Sequence, residues 1–546
     1  MSDQLSLQKT GSLVKYPAIV IAAMFLVCVI FAKGDITLMT PIDMGVVMGF
    51  LGLVLFWTLE SKAWQMAVAF AASGLVFGLL SLALGNYITL TIGGGLLIVG
   101  IGVYLKIRGK LDHRLLIFLI LAMGFWLQFS YAQYTPCWLR QNDVGFFGKE
   151  VFDPHHAGYI SYIRYYGWIP HADVREMDQW YHPPLHHLIC AYFLRLYGTV
   201  FPSLDENYDV LQMITLIYSF LCVVFIRRIA LMFIKTESAD TVMTAMVAFF
   251  PIFIVNAGEL NNDILSVLFF VLSIYFILRW YREGRGWANL VLSALTIGLG
   301  MMTKLSVWLA AVPVGIILLA VLFETRGKSL KLWGQYAVFA LVSFPLGLWF
   351  PVRNYLGWGV PPSYIPVPIY TSSLEQYSIF QRIFDVIGNE GYCNIPYFAV
   401  WSALFDDDDY REHAFYGLLS FAVSFVFVVL LIAATAGIVY WVVKTVKNKG
   451  NKWEMAALVM LVVAELTSYT IFCFKFPYIC TMNFRYIIPI TITFLIGFGA
   501  VYDRIRAFDK SKLPIALVNI CIVLFTVMTA VFYLSLWGYD LWYNSL

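Results

Sequence analysis

Long apolar runs, separated by short polar segments, follow one another along almost the whole chain. A bilayer core about 30 Å thick requires about 20 apolar residues per helix, so a charge-poor run of that length predicts a membrane span. About fifteen such runs are present, which predicts an all-α polytopic membrane protein. The predicted spans are 16–32, 44–59, 64–84, 88–105, 115–131, 210–231, 241–258, 262–280, 287–302, 305–323, 332–351, 414–443, 453–474, 485–501 and 513–537.

One further apolar run, 184–201, is predicted to lie along the membrane surface. Two histidines near its start, Arg195 within it and aromatic residues throughout are typical of an amphipathic interfacial helix. A crossing at this point would also move Arg227 and Arg228 to the external face, although basic residues are normally retained in the cytoplasm.

The distribution of lysine and arginine predicts the orientation in the membrane. With the N-terminus in the cytoplasm, about 24 of the 36 basic residues fall in cytoplasmic segments. Two long loops, 132–209 and 352–413, then lie on the external face. Their aromatic content argues against disorder, so both loops are expected to fold on the membrane surface and to carry surface helices.

Composition narrows the class of protein further. The chain is 61% hydrophobic and 13% charged, whereas a soluble domain is about 25% charged. The net charge of +3 gives no basic excess that would indicate a nucleic-acid partner. Eight cysteines without a C-x-x-C pair argue against zinc or thioredoxin-like sites. The partner that composition predicts is therefore the lipid bilayer.

Two aspartates are candidate catalytic residues at the predicted external face. Asp143 follows the fifth span closely enough to fold back over the helices, and a carboxylate there can take a proton from a hydroxyl. A solvated loop residue or a helix cap is the alternative for Asp143. Asp263, in ELNNDILSVLFF, lies at the mouth of the eighth span, where capping by Asn261 or Asn262, or interaction with the helix dipole, would also explain it.

A histidine-rich motif supplies candidate substrate-binding residues. In YHPPLHH the candidates are Tyr181, His182 and His186, and His156 precedes the motif. Two prolines separate His182 from His186, so the pair need not share a helical face as in H-E-x-x-H, and no metal site is predicted. Two roles remain open for these side chains: hydrogen bonding to a phosphate or a sugar, and packing at the membrane interface.

Three external cations are predicted at headgroup depth. Lys304 lies in a short turn, Arg353 closes a span, and Arg485 opens another. Each can simply extend its charge to the interface, but together they would bind a phosphate at the bilayer surface. Glu465 lies in mid-span, which marks either function or an interhelical hydrogen bond. The acidic run 406–409 is expected to be a solvated loop.

The order of these motifs resembles that of a known superfamily. An Asp soon after a span, then YHPPLHH, ELNNDILS, GLGMMTKLS, WFPVRN and NFRYIIPI resemble the GT-C glycosyltransferases, in particular the protein O-mannosyltransferase and aminoarabinose transferase group. The resemblance implies a GT-C-like catalytic membrane module over 115–501. A four-helix membrane extension, 1–114, would precede it, and a C-terminal membrane helix, within 502–546, would follow.

The resemblance also implies an activity and roles. The enzyme would transfer a sugar, with inversion, from a polyprenyl-phosphate carrier to an acceptor hydroxyl of a protein, lipid or cell-wall glycan. Asp143 and Asp263 resemble the family's catalytic acidic residues, and Lys304, Arg353 and Arg485 resemble contacts to the donor phosphate. No cofactor is firmly predicted, and Mg²⁺ or Mn²⁺ is the alternative. A multi-pass protein of the bacterial plasma membrane, with a cytoplasmic N-terminus and an external active site, is expected.

Other functional classes remain open from the sequence. A transporter or flippase of lipid-linked sugars is one alternative, and an oligosaccharide polymerase or ligase is another. The number of predicted spans and Glu465 favour transport. The long external loops and the external position of the candidate groups favour the enzyme, because transport through a site at the bilayer midplane requires neither.

Overall fold

The structure is a computed structural model that describes residues 87–140, 142, 155–177, 179–200, 208–367, 373–386, 392–406, 409–448, 450–508 and 512–543. The predicted spans 16–32, 44–59 and 64–84 lie outside the described residues. Within the described ranges, all regular secondary structure is helical apart from one isolated bridge between Ser373 and Tyr478. The predicted all-α class is confirmed.

Eighteen α-helices are described. In chain order they are α1 (Tyr87–Ile107), α2 (His113–Tyr134), α3 (His155–Tyr166), α4 (Leu185–Val200), α5 (Gln212–Leu231), α6 (Glu237–Ala248), α7 (Pro251–Gly258), α8 (Asp263–Arg282), α9 (Trp287–Met301), α10 (Ala311–Glu324), α11 (Leu330–Trp358), α12 (Ile379–Phe384), α13 (Ile395–Phe405), α14 (Ala414–Lys447), α15 (Lys452–Lys475), α16 (Thr491–Ala507), α17 (Leu513–Ser535) and α18 (Trp537–Tyr543). Short 3₁₀ turns occur at Tyr208–Leu211, Leu305–Ala310, Ile479–Met482 and Phe484–Ile490.

Several of these helices have the length and composition of membrane spans. In the part of the chain that the structure describes, nine helical segments are long and apolar enough to cross a bilayer, or ten if α6 and α7 form one span. The predicted span 287–302 forms only the shorter helix α9, of 15 residues. A multi-pass membrane protein is supported, whereas the count of about fifteen spans is not confirmed.

The predicted span 241–258 is broken in the middle. Phe249 and Phe250 separate α6 from α7, and the two helices are bent by 40° relative to each other. Pro251 is the first residue of α7, and a proline disfavours helical backbone in the residue before it. Phe250 accordingly has extended dihedral angles (φ −73°, ψ 117°). The α7 helix is buried along its whole length and ends directly before Glu259.

Two other predicted spans begin irregularly. Lys304 has extended backbone (φ −153°, ψ 127°), and the 3₁₀ turn Leu305–Ala310 then leads into α10. Arg485 lies in the 3₁₀ turn Phe484–Ile490, where Ile487 departs from helical geometry before α16 begins. These irregular starts direct Lys304 and Arg485 toward the mouth of α8.

A pair of glycines allows two long helices to pack closely. A Cβ atom on Gly437 of α14 would overlap the carbonyl oxygen of Gly497 on α16. A Cβ atom on Gly497 would in turn lie 2.6 Å from the carbonyl oxygen of Ala434. Glycine is therefore required at both positions for this close approach.

The predicted surface helix 184–201 is present as α4. It begins after Pro183 and Pro184, and it is not among the helices long enough to count as spans. The backbone N–H of Leu185 donates to the carbonyl oxygen of Met302 at 2.9 Å. This bond ties the start of α4 to the turn that carries Lys304.

Candidate functional site

Asp263 lies buried at the N-terminus of α8. Its side chain is only 4% exposed, and its backbone N–H donates to Asn261 Oδ1 at 3.0 Å. A carboxylate in the first turn is stabilised by the partial positive charge of the helix N-terminus. Burial of a charged group at this position requires cations as well, because the dipole alone contributes only about 0.3–1 kcal/mol.

Those cations are Lys304 and Arg485. Lys304 Nζ forms an ion pair with Asp263 Oδ1, and Arg485 Nη1 lies 3.5 Å from Asp263 Oδ2. Tyr486 joins both cations, since Lys304 Nζ lies 4.8 Å from its ring centroid and Arg485 Nη2 lies 3.0 Å from its hydroxyl. We call Asp263, Lys304, Arg485 and Tyr486 the Asp263 cluster. With two cations and one carboxylate, its formal charge is positive.

The turn that carries Lys304 is fixed from two sides. The backbone N–H of Lys304 donates to the carbonyl oxygen of Gly300 at 2.8 Å, which closes the end of α9. Asn262 Nδ2 donates to the carbonyl oxygen of Thr303 at 2.7 Å. The N-terminus of α8 and the Lys304 turn are thus held together by the hydrogen bond from the Asn262 side chain as well as by the ion pair.

Glu465 of α15 faces the same site. It lines a cavity of about 20 Å³ together with Asp263, Lys304, Arg485 and Tyr486, which is room for about one water molecule. Glu465 is 3% exposed. The intramembrane carboxyl therefore lies beside the Asp263 cluster and does not face lipid.

A second polar group, which the sequence analysis missed, lies next to this cluster. Glu259 and Asp406 are both buried, and Asn142 Nδ2 lies 3.0 Å from Glu259 Oε1 and 2.8 Å from Asp406 Oδ2. Asn483 Nδ2 donates to Asp406 Oδ1 at 2.7 Å. We call Glu259 and Asp406 the carboxyl pair. The dense polar motif ELNND, within an apolar region, was the signal that could have found Glu259.

The expectation that 406–409 is a solvated loop is wrong for Asp406. This residue is 6% exposed and adopts a positive φ of 57° at the end of α13. Asp409 fits the expectation better, because it is partly exposed and pairs with Arg411 at 2.6 Å. The C-cap geometry turns Asp406 inward because its oxygens find amide donors from Asn142 and Asn483 there.

Burial changes the protonation of the carboxyl pair. Desolvation raises the pKa of Glu259 well above its usual range, and the neighbouring Asp406 raises it further. Desolvation also raises the pKa of Asp406, although Asn483 and Arg485 oppose that shift. Two nearby buried carboxyl groups do not both ionise readily, so the pair retains a proton well above the ordinary pKa of a carboxyl.

The histidines form a packed group between α3 and α4. His156 Nδ1 and His187 Nε2 are 2.8 Å apart, and the rings of His156 and His182 stack at 5.5 Å. His186 Nε2 lies 2.8 Å from the carbonyl oxygen of Leu260, two residues from the N-cap of α8. No group of three or more metal-ligating side chains occurs among the described residues.

These histidines are uncharged at neutral pH. Desolvation lowers the pKa of His186 to about 4. Desolvation and then the cation of Lys304 lower the pKa of His182 well below its usual range, so this ring lies within electrostatic reach of the Asp263 cluster. His182 can act on a substrate as a neutral hydrogen-bonding group, but not as a further cation.

Arg353 is held by residues outside the Asp263 cluster. Arg353 Nη1 donates to Asn354 Oδ1 at 2.8 Å, its Nη2 contacts the carbonyl oxygen of Pro170, and its guanidinium lies 4.8 Å from the ring of Trp358. Tyr181 lines a separate small cavity with Asn354. The structure therefore brings together Asp263, Lys304 and Arg485, and it does not bring Arg353 to them.

Asp143, the predicted base, lies outside the described residues. Its neighbour Asn142 is buried and contacts both members of the carboxyl pair. The role of Asp143 stays a prediction.

An apolar cavity of about 280 Å³ lies between α6, α13, α14 and α16. Phe484 and Ile487, which flank Arg485 and Tyr486 in the chain, form part of its wall. The lining is almost entirely apolar and comprises Met246, Val247, Phe250, Pro396, Ala399, Val400, Ala403, Phe427, Leu430, Leu431, Ala434, Leu466, Phe484, Ile487, Ile490, Thr491, Phe494, Leu495 and Phe498.

Several solved structures are similar to this chain at low sequence identity. They include the archaeal oligosaccharyltransferase AglB from Archaeoglobus fulgidus in complex with an inhibitory peptide and a dolichol-phosphate (TM-score 0.44, 13% identity, 77% of this chain). ArnT from Cupriavidus metallidurans in the apo state has a TM-score of 0.44 and 13% identity over 78% of this chain and 76% of its own. An Archaeoglobus fulgidus oligosaccharyltransferase in complex with Zn and sulfate has a TM-score of 0.42 and 15% identity over 75% of this chain.

The alignments cover 56% and 53% of the two archaeal oligosaccharyltransferase chains. No curated protein resembles the sequence closely enough to count as a match. Residues 181–349 match the family described as dolichyl-phosphate-mannose-protein mannosyltransferase. This segment contains Asp263 and Lys304, and its match confirms the predicted resemblance of the chain to the GT-C glycosyltransferases.

Proposed function

We propose that the protein is a membrane glycosyltransferase that transfers a sugar from a polyprenyl-phosphate carrier to an acceptor hydroxyl. The observation that supports this most strongly is the Asp263 cluster, in which two cations, the partly buried Lys304 and the buried Arg485, share one carboxylate. The excess positive charge of the cluster complements the single negative charge of a phosphodiester. Buried Lys and Arg side chains are well suited to such a group, since both form charge-assisted hydrogen bonds.

The apolar cavity supports a lipid-linked donor. Phe484 and Ile487 contribute to its wall, while Arg485 between them belongs to the Asp263 cluster. A polyprenyl chain in the apolar cavity would leave its phosphate close to Arg485. The description of the matched family names dolichyl-phosphate-mannose as the donor and a protein as the acceptor, which agrees with a donor of this class.

The chemistry is a single displacement. The acceptor oxygen attacks the anomeric carbon of the sugar, the bond from that carbon to the phosphate oxygen breaks, and its electron pair stays on the phosphate. Lys304 and Arg485 stabilise the negative charge that develops there. The proton of the acceptor hydroxyl passes to a carboxylate base, for which we propose Asp143. Attack from the side opposite the phosphate inverts the anomeric centre.

The location and the acceptor belong to the same proposal. We place the active site on the external face of a bacterial plasma membrane, where the N-terminus is cytoplasmic and the acceptor is a hydroxyl of a protein, a lipid or a cell-wall glycan. A divalent cation is not required in this mechanism, because a phosphate monoester is already a good leaving group when cations stabilise it.

The test is sugar transfer by the purified protein in lipid vesicles. Radiolabelled polyprenyl-monophosphate sugars are supplied as a panel, together with membranes as a source of acceptors. We expect transfer from at least one donor, and a loss of at least tenfold in Lys304→Gln and in Arg485→Gln. The control Lys331→Gln removes an exposed cation at the start of α11 and should transfer normally.

Two outcomes would contradict the proposal. Movement of an intact lipid-linked sugar across the vesicle membrane, without transfer, would assign the protein to the transporters. Unchanged binding of polyprenyl monophosphate by Lys304→Gln and Arg485→Gln would show that the Asp263 cluster is not the phosphate site.

A further inference from the structure

We propose that Glu259 and Asp406 are positioning residues, a carboxyl pair that shares one proton and sets the positions of Asp263 and Arg485 through two asparagine side chains. The proposal rests on the proposed function, in which Asp263 and Arg485 belong to the phosphate site. It goes beyond that function because it gives Glu259 and Asp406 a role, which they exert on Asp263 and Arg485 through Asn261 and Asn483.

The first asparagine is Asn261. Its Nδ2 donates to Glu259 Oε2, and its Oδ1 accepts the backbone N–H of Asp263 at 3.0 Å. Glu259 thereby fixes which face of the Asn261 amide points at α8. If the Asn261 amide turned over, its NH₂ group would meet the N–H of Asp263, and the helix would lose an acceptor at its first residue.

The second asparagine repeats this arrangement on the other side. Asn483 Nδ2 donates to Asp406 Oδ1 at 2.7 Å, and Asn483 Oδ1 accepts the backbone N–H of Arg485 at 2.9 Å. Each carboxyl group thus orients one amide, and each amide holds the backbone of one charged residue of the Asp263 cluster. The two relays are equivalent although Asn261 and Asn483 are far apart in the chain.

Asn142 joins the two relays. Its single Nδ2 atom lies 3.0 Å from Glu259 Oε1 and 2.8 Å from Asp406 Oδ2. These distances place the two carboxyl groups within the roughly 4–6 Å over which like charges oppose each other's ionisation. All four carboxyl oxygens of the pair therefore face amide nitrogen donors.

The charged groups around Glu259 and Asp406 are consistent with one proton shared by the carboxyl pair. Arg485 favours ionisation of both members, whereas Asp263 and the pair's own mutual repulsion oppose it. Burial raises the pKa of both Glu259 and Asp406, and a hydrogen bond from Glu259 favours the ionised form of Asp406. The two groups therefore hold one proton and one negative charge between them.

Loss of this proton would disturb the site. Two buried carboxylates would repel each other, and the added negative charge would offset the positive charge of Arg485, which acts on both members of the pair. Less positive charge would then remain for a phosphate at the Asp263 cluster. The affinity of the Asp263 cluster for a phosphate should consequently fall at alkaline pH.

The closing experiment compares Glu259→Gln with Glu259→Ala and with the control Glu412→Gln, which changes an exposed glutamate of the same external loop as Asp406. Gln mimics the protonated Glu259, because its oxygen accepts and its NH₂ donates. Binding of polyprenyl monophosphate is measured between pH 6 and 10 in detergent. We expect wild type and Glu412→Gln to lose at least tenfold in affinity as pH rises, Glu259→Gln to bind almost independently of pH, and Glu259→Ala to bind at least tenfold more weakly throughout.

A second measurement requires no ligand. The folded state retains a proton on the pair that the unfolded chain has already released above its ordinary carboxyl pKa of about 4, so wild-type stability falls as pH rises through the interval up to the raised pKa. Glu259→Gln should abolish this decline in unfolding experiments. The same decline in both proteins would overturn the shared proton.

The two proposals fail in different ways. If wild type does not bind polyprenyl monophosphate while the stability difference is present, the proposed function fails and the carboxyl pair has no phosphate site to position. If wild type binds and Glu259→Gln keeps the wild-type dependence of affinity on pH, the positioning role is wrong and the phosphate site stands.

Discussion

The ion pair between Lys304 and Asp263 provides the sharpest test of the candidate site. Lys304→Gln removes the charge and keeps most of the length. At an effective dielectric constant near 20, opposite charges about 4 Å apart attract by about 4 kcal/mol, and breaking a buried pair costs about 3–5 kcal/mol. Arg485 still faces Asp263 at 3.5 Å after the change. We therefore expect a loss of about 3 kcal/mol in the free energy of unfolding, at the low end of that range.

A double-mutant cycle also requires Asp263→Asn and the double variant Lys304→Gln with Asp263→Asn. Asp263→Asn alone removes the carboxylate that both Lys304 and Arg485 face, so it should cost about 3–5 kcal/mol. In the double variant, positions 263 and 304 are both uncharged, and only Arg485 keeps its charge. Its cost should fall below the sum of the single changes by about 2 kcal/mol, which is the coupling expected of charged residues in direct contact.

Unfolding by SDS in mixed micelles, followed by tryptophan fluorescence, measures these differences, since the chain has 17 tryptophans. Lys331→Gln is the matched control, because Lys331 is exposed and should change stability by less than about 0.5 kcal/mol. Additive costs, within about 0.5 kcal/mol, would refute the reasoning, because residues that do not interact show no coupling.

Three further predictions concern chemistry and pH. Asp143→Asn should reduce turnover by at least about 10² while binding of polyprenyl monophosphate is unchanged; near-normal transfer in a radiolabel assay would remove Asp143 from the mechanism. Burial lowers the pKa of His186 to about 4, so stability is complete above the ordinary histidine pKa of about 6.5 and falls by up to about 3 kcal/mol as pH decreases to 4. His186→Gln should lessen this decline in unfolding experiments at several pH values. Sugar transfer should survive EDTA, and a complete loss that Mg²⁺ or Mn²⁺ reverses would reject the metal-free mechanism.

Local sequence patterns predict much of the described fold. Apolar runs of span length become helices with bounds close to those expected, as in α8 and α15. The helix after Pro183 and Pro184 is also present, because its signals are local: a proline break followed by an apolar run. The bend before Pro251 was missed, since the surrounding run is apolar throughout and periodicity alone does not locate a break.

The candidate site was predictable only in part. Lys304 and Arg485 stand out because basic residues are sparse on the predicted external face, and Asp263 stands out because it begins an apolar run. The carboxyl pair does not stand out in the sequence, because Glu259 and Asp406 come from distant segments. Only the fold brings both side chains into contact with Asn142. Arg353 has the same local pattern as Arg485 but contacts Pro170 and Trp358 instead. The local sequence therefore identifies charged residues near the bilayer surface, but it does not predict which of them contact one another in the fold.

The order in which the chain is synthesised gives the ion pair of Lys304 and Asp263 a further consequence. The two residues are 41 positions apart, at the beginning of α8 and just beyond the end of α9. As these two helices leave the ribosome and enter the bilayer as a hairpin, the two charges can neutralise each other at once, which lowers the cost of insertion. Arg485 is translated much later. A nascent chain therefore carries Asp263 into the bilayer already paired with Lys304, and the 242 residues that follow Lys304 are added to a neutral pair.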